Sequence, residues 1–506
     1  MSGGDFTALV DLAGERLGGA VLWANDEFFA DRDNLLKSEE PVFVPGKYTD
    51  RGKWMDGWET RRRRAPGHDW CIVRLGVPGV VRGVVVDTAH FKGNYPESCS
   101  LEATSAAAES PLEALEGARW EEILPRTKLQ GDTRNGFVVE RAWRATHLRL
   151  RIFPDGGVAR LRVHGEVLPD SRWMGGRGTE QDVDLALVEN GGVVVAASDT
   201  FFGPRHALVM PGRALDMSDG WETKRTRREG PEWVVVRLAT EGTIRRAEID
   251  TWRFKGNAPE SAALAVSASP DGPWDEVLAR TKLLPHTRHV VDDALAPHAP
   301  ARYARLSIWP DGGVSRLRLL GPPSRSGREV WGITRLNALA PDDARTELLA
   351  CCGSAAWAHR MVEARPFSNL ATLKQQATRA ADALTERDWL EAFAAHPRIG
   401  EKTAGLRLGR SLVETRGSDA RAWSAEEQSR VGSAAAVTLE ALAEANRAYE
   451  AKHGFIYIVC ATGKGAEEML ALMQERAQND RRTEVVRASE EQRKITDLRL
   501  EKLVLL

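Results

Sequence analysis

Along the first two-thirds of the chain, apolar residues come in short runs broken by glycine and proline. Trp70–Leu75 (WCIVRL) and Trp233–Leu238 (WVVVRL) are compact runs rich in β-branched residues. In His147–Phe153, Leu148, Leu150 and Ile152 alternate with Arg149 and Arg151, the period-two pattern of a half-buried strand. Asp155-Gly156-Gly157 and Asp311-Gly312-Gly313 supply tight turns before the next expected strands, Val158–Val163 and Val314–Leu319. Many short strands with this punctuation predict sandwiches or jelly rolls. The pattern changes after Gly321–Gly327 (GPPSRSG), whose Gly/Pro/Ser content reads as a linker, placed at 323–330. Beyond it the period is helical, with helices predicted over Asp342–Ala364, Leu370–Ala395, Ala425–Lys452, Gly465–Gln478 and Thr483–Val504. On the third of these, Val431, Ala435, Leu439, Leu442 and Ala445 form one apolar stripe. The predicted architecture is two tandem all-β sandwiches followed by an all-α domain.

The sandwiches are counted from a long internal repeat. DGWETRRRR at Asp56–Arg64 returns as DGWETKRTR at Asp219–Arg227. DTAHFKGNYPES at Asp87–Ser98 returns as DTWRFKGNAPES at Asp250–Ser261, with nine of twelve positions identical. Arg126–Leu129 (RTKL) recurs at Arg280–Leu283, and PDGGVARLR at Pro154–Arg162 recurs as PDGGVSRLR at Pro310–Arg318. The order is kept at offsets of 154–163 residues, too long for a solenoid period. Two duplicated domains are therefore expected over 15–170 and 190–322, with the helical domain over 331–506.

Composition narrows the function classes. The 506 residues exceed one core. A net charge of −2 argues against a generic nucleic-acid or membrane-surface binder. No run approaches the length of a membrane span, and the first residues lack a signal-peptide pattern. A cytoplasmic protein is expected. Cys71, Cys99, Cys351, Cys352 and Cys460 form no CxxC pair and no zinc spacing, so reduced thiols are the plain reading.

Duplication copies core residues as well as active ones, and Trp58, Trp221, Phe91, Phe254 and the glycines read as structural. Asp155 and Asp311 read as turn residues. The retained charged and amide positions are harder to explain that way: Glu59 and Glu222, Lys92 and Lys255, Asn94 and Asn257, Glu97 and Glu260, Arg126 and Arg280. Cations pair with a carboxylate, carboxylates accept from N–H groups, and Asn does either. The set suits a small, carboxylated, amide-rich ligand.

DGWETxR, DTxxFKGNxPES, RTKL and PDGGVxRLR, each in two copies, closely resemble allantoicase, the enzyme that hydrolyses allantoate to ureidoglycolate and urea. The resemblance implies tandem jelly rolls of the galactose-binding-like type. Glu59, Glu97, Glu222 and Glu260 are then the candidates to activate water. Lys92 and Lys255 would hold the substrate carboxylate, with Asn94, Asn257, Arg126 and Arg280 as further substrate contacts. The residues leave open which copy works and whether a metal takes part. The copies differ at Ala89-His90 against Trp252-Arg253, and at Thr133-Arg134-Asn135 against Thr287-Arg288-His289.

In the helical region, Ser424-x-x-Glu427 is a capping box, Gly454 suits a helix stop, and Phe455–Val459 reads as a buried apolar segment. Taken together, CCGSxxWAxxM at Cys351–Met361, RPF at Arg365–Phe367, HPRIG at His396–Gly400, SxxEQ, HGFxxIVxATGK and KITDLRL resemble the decarboxylase of 2-oxo-4-hydroxy-4-carboxy-5-ureidoimidazoline (OHCU), which forms (S)-allantoin. That resemblance implies a cofactor-free helical bundle, at least a dimer. His396 would be the catalytic histidine, with Glu427 and Arg499 beside it. Ser424 and the backbone near Phe455 and Ile456 would contact substrate. His453, Ile456 and Tyr457 stand where some members carry an FGFPF-like string. A histidine titrating near neutrality would handle the hydroxyl proton.

The expectation is a bifunctional enzyme of ureide catabolism that takes allantoate and OHCU and binds neither nucleic acid nor membrane. The rival readings are a single active domain, or jelly rolls acting as a carbohydrate-binding or scaffolding module.

Overall fold

The structure is a computed structural model that describes residues 6–141, 143–169, 181–226, 229–396 and 436–505. It divides into two compact units, Met1–Trp331 and Gly332–Leu506. The first is built of antiparallel strands and the second of helices.

In the first repeat one nineteen-residue strand, Asp69–Asp87, organises the sheet. Its first half pairs with Ala20–Ala24 and Arg144–Phe153, and its second half with Arg160–Val167 and Arg134–Val138. Ser98–Thr104 and Glu121–Lys128 extend the sheet beyond Arg144–Phe153. The second repeat divides the same role between Glu232–Gly242 and Arg246–Asp250. It therefore shows two separate sheets, of five and four strands. The alternation read in His147–Phe153 holds, since Leu148, Leu150 and Ile152 are fully buried.

The repeated strings fasten to one another across each repeat. Trp58–Glu59 pairs with Gly157–Val158, and Trp221–Glu222 pairs with Gly313–Val314. Trp58 and Trp221 are fully buried, and each indole N–H donates to a main-chain oxygen, of Asp26 (2.8 Å) and Asp199 (2.9 Å). Asp56 takes the guanidinium of Arg160 at 2.8 Å, and Asp219 takes that of Arg316 at 2.9 Å. Asp155 and Asp311 serve the turns, accepting the N–H groups of Arg63 and Thr226 at 2.8 Å. A Cβ at Gly157 or Gly313 would lie 2.0 Å from Phe91 or Phe254, so close ring-to-backbone packing fixes glycine there. Most of the repeated sequence is thus accounted for by the fold.

The helical unit contains Pro341–Cys352, Ala355–Glu363, Leu370–Asp382, Glu386–Ala394, Ala436–His453, Ala466–Arg476 and Arg481–Leu505 around one apolar core. Two predicted helices are each broken in two. Gly353 adopts φ 84° and Ser354 caps a new start, and Thr385 opens another with a capping box to Asp388. The expected linker at 323–330 is corrected: Arg325–Ala338 is helical. Ser324 accepts the N–H of Gly327 at 2.9 Å just after Pro322-Pro323, a helix-start arrangement that composition alone disguises. The five cysteines are buried free thiols.

Candidate active sites

One carboxylate–amide pair in each repeat is not absorbed by the fold. The Asn94 amide donates to Glu59 Oε1 at 2.6 Å, and the Asn257 amide donates to Glu222 Oε1 in the same arrangement. Both asparagines also accept a glycine N–H through their main-chain oxygens, from Gly157 at 2.7 Å and Gly313 at 2.9 Å. Each carboxylate is therefore aimed by a short strand, and each amide by the loop that follows Phe91 or Phe254.

In the first repeat the pair opens into a cleft of about 560 Å³ lined by Phe29, Phe43, Lys53, Met55, Glu59, His90, Lys92, Gly93 and Asn94. Burial raises the Glu59 carboxyl above the usual carboxylate range, against the opposing pull of Asn94 and Lys53. A half-buried carboxyl of this kind can take a proton from water and hold it for a leaving group. Lys92 lies on the cleft wall and faces Asp132 at 3.7 Å.

Other expected contacts lie elsewhere. Glu97 and Arg126 do not line the cleft. Arg126 donates to Ser98 Oγ at 2.8 Å and stacks 4.3 Å over Phe153. Arg280 repeats this with Ser261 (2.7 Å) and Trp309 (4.8 Å), and pairs with Glu260 at 3.3 Å. These residues brace an edge of the sheet, which is reason enough for their repetition. Lys255 is exposed beside Gly256. The residues that sequence reasoning passed over are Phe29, Phe43, Lys53 and Met55; none of the repeated strings contains them. His90 takes φ 69° and Arg253 φ 75°, so the positions where the copies differ occupy the same left-handed turn.

In the helical unit, His396 follows Glu386–Ala394, and its Nε2 is buried with no hydrogen-bond partner among the described residues. Burial holds the imidazole at about 4, with the Arg499 guanidinium adding to the effect and Gln492 opposing it. This direction runs against the near-neutral titration expected for His396 and favours the neutral ring. Arg499 is buried on Arg481–Leu505 and donates to Ala350 O at 3.4 Å. Phe455 and Ile456 are buried, with the Phe455 ring 5.2 Å from that of Phe393. Ser424 and Glu427 lie outside the described residues. Among the described residues, no group of three or more His, Cys, Asp or Glu could hold a metal ion, and no helix is long and apolar enough to cross a membrane.

Residues 10–168 and 183–324 match the family model described as allantoicase repeat. The chain belongs to the allantoicase family. A probable allantoicase of Nocardia farcinica is 50% identical over 318 residues, covering 62% of this chain and 95% of its own. One from Streptomyces avermitilis is 47% identical over 334 residues, covering 64% and 88%. A solved allantoicase of Saccharomyces cerevisiae is 36% identical, covers 62% of this chain and 92% of its own, and superposes with a TM-score of 0.54. Downstream of the allantoicase repeats, residues 337–501 match the OHCU decarboxylase family model.

Proposed function

We propose that the protein is a bifunctional ureide-catabolism enzyme. The allantoicase repeats, each a jelly roll, hydrolyse allantoate to ureidoglycolate and urea. The helical bundle decarboxylates OHCU to (S)-allantoin, as a dimer or larger oligomer. The observation that carries the first activity is the Glu59–Asn94 pair in its cleft. Glu59 takes a proton from water as its oxygen bonds to the central carbon. The C–N bond breaks, and the same proton passes to the departing urea nitrogen. Asn94 holds Glu59 in place and offers its remaining capacity to the ureido groups.

In the decarboxylase region His396 accepts the hydroxyl proton. Loss of CO₂ passes its electron pair through a new C=C bond to the nitrogen of the adjacent C=N, which takes a proton from solvent, and the hydroxyl carbon becomes C=O as that C=C bond reopens. A proton then returns to the neighbouring carbon, which completes allantoin. Arg499 binds a carboxylate of the substrate, and Glu427 and Ser424 orient it. Because the two reactions are not consecutive, no direct transfer between the sites is implied.

The test is urea release from allantoate by the full chain, with and without EDTA, beside Glu59→Gln. Loss of release in Glu59→Gln supports the assignment; full activity in that variant removes Glu59 from it. His396→Asn is expected to abolish stereospecific allantoin formation while urea release continues.

A further inference from the structure

The two repeats share the frame of the site and differ in what covers it. Phe29 and Phe202 occupy equivalent places, each donating its N–H to the main-chain oxygen of the site glutamate, at 3.2 Å for Glu59 and 3.4 Å for Glu222. Twenty-nine positions separate Phe29 from Trp58 and nineteen separate Phe202 from Trp221, so the first repeat carries ten extra residues. They fold as the hairpin Tyr48–Thr49 with Gly52–Lys53; no strand occupies the corresponding stretch of the second repeat.

The hairpin is fastened at its base. Arg160 Nε donates to Glu39 O at 2.9 Å, and the Val42 N–H donates to Asp56 at 3.0 Å. The Trp54 N–H reaches Lys47 O at 3.1 Å, and the Lys47 ammonium lies 3.7 Å from the Trp54 ring. The segment so held delivers Phe43, Lys53 and Met55 to the cleft wall. The Lys53 ammonium sits 4.4 Å from the Phe43 ring centre, and its charge acts on Glu59.

An anionic substrate entering this cleft meets the Glu59 carboxylate, so it needs a cation whose charge is not already offset. Lys92 faces Asp132 at 3.7 Å and its side chain is 79% exposed. Lys53 is also exposed, but its charge acts only at longer range on Glu59, no carboxylate among the described residues is in an ion pair with it, and the Phe43 ring covers one side of it. Charge pairing strengthens where water is displaced. We propose that Lys53, carried on the hairpin, is the group that binds the substrate's carboxylate, and that the hairpin makes the first repeat the hydrolytic one. The proposal rests on the allantoate reading above.

The experiment compares the KM for allantoate with the inhibition constant of methylenediurea, which keeps both ureido groups and lacks the carboxylate. Lys53→Met is expected to raise the allantoate KM about ten- to a hundredfold, the range of a lost charge-assisted contact, while methylenediurea inhibits within about twofold of wild type. Lys53→Arg restores most of the affinity, and Lys92→Met has the smaller effect of the two lysine removals. A variant that merely distorts the cleft weakens both ligands, which overturns the proposal, as does an unchanged allantoate KM in Lys53→Met. Glu59→Gln is expected to lower kcat more than Glu222→Gln; the reverse order overturns the assignment to the first repeat. Calorimetric titration of allantoate into Glu59→Gln, with and without Lys53→Met, reads the carboxylate contact without turnover. A failure of the hydrolysis reading is thereby distinguished from a failure of this one.

Discussion

Replacing Arg160 with methionine tests the claim that the repeated strings are retained for the fold. Arg160 is 2% exposed and donates to Asp56 Oδ2 (2.8 Å), Asp56 O (3.1 Å), Ala159 O (2.8 Å) and Glu39 O (2.9 Å). Its removal leaves Asp56, 8% exposed, with the Val42 N–H at 3.0 Å and a distant Lys37 at 3.8 Å. Breaking one side of a buried ion pair costs about 3–5 kcal/mol, because the remaining charge stays desolvated. The same change with Asp56→Asn should cost less than the sum of the two single losses, with a coupling of about 1–3 kcal/mol. The pH dependence gives a second reading. Burial alone would raise the Asp56 carboxyl, but Arg160, the Val42 N–H and Lys37 outweigh it and hold it below its ordinary value of 3.8. The wild-type contribution is therefore present above that value and lost only as pH falls through the lower folded one. Without Arg160 its hydrogen bond and charge no longer oppose burial, and the folded pKa is expected to rise above the ordinary carboxylate value. The variant's penalty is then full at neutral pH and shrinks as Asp56 takes up a proton. Denaturant unfolding of wild type and both variants at pH 7 and pH 5 measures this. A loss under about 1 kcal/mol at pH 7, or a gap no smaller at pH 5, refutes the reasoning.

Three further outcomes follow from the geometry. Gly157→Ala and Gly313→Ala should each destabilise the sheet-rich unit by about 1–3 kcal/mol, the usual cost of overpacking, as read by thermal unfolding; Phe91 and Phe254 would have to move. In the helical unit, Arg335→Met should cost about 3–5 kcal/mol, because Glu347 loses a buried bidentate partner at 2.8 and 2.7 Å; a denaturant titration gives the value. With His396 held at about 4, decarboxylation should persist well below pH 6 and fall as pH approaches 4, where the ring becomes protonated; a pH–rate profile that falls near 6.5 would contradict this.

The duplication was legible in the strings, and so was the change from period two to helical period. What the strings could not show was which of their residues meet. Asp56 and Arg160 lie 104 positions apart, and Glu59 and Asn94 lie 35 apart. Only the fold reveals that the first pair is a clamp and the second lines a cleft. Arg126, Arg280 and Glu260 looked alike to Lys92 and Asn94 because a repeat retains bracing and cleft-lining residues equally. Lys53 and Phe43 escaped notice for the opposite reason: they lie where the copies diverge, so no recurrence points to them. The linker reading of GPPSRSG failed because proline and serine mark helix starts as well as loops.

The hairpin enters and leaves the fold between two anchors that both repeats own, a phenylalanine bonded to the site glutamate and an aspartate clamped by an arginine. It is therefore portable. The frame beneath it is already duplicated, so under the proposal above a second hydrolytic centre would lie one loop exchange away, between Phe202 and Asp219. In its present form the chain covers its twin frames differently. One keeps the scaffold and the short loop, and Asp219 spends its second oxygen on Arg16 of its neighbour at 3.0 Å. The other carries the hairpin that walls its cleft.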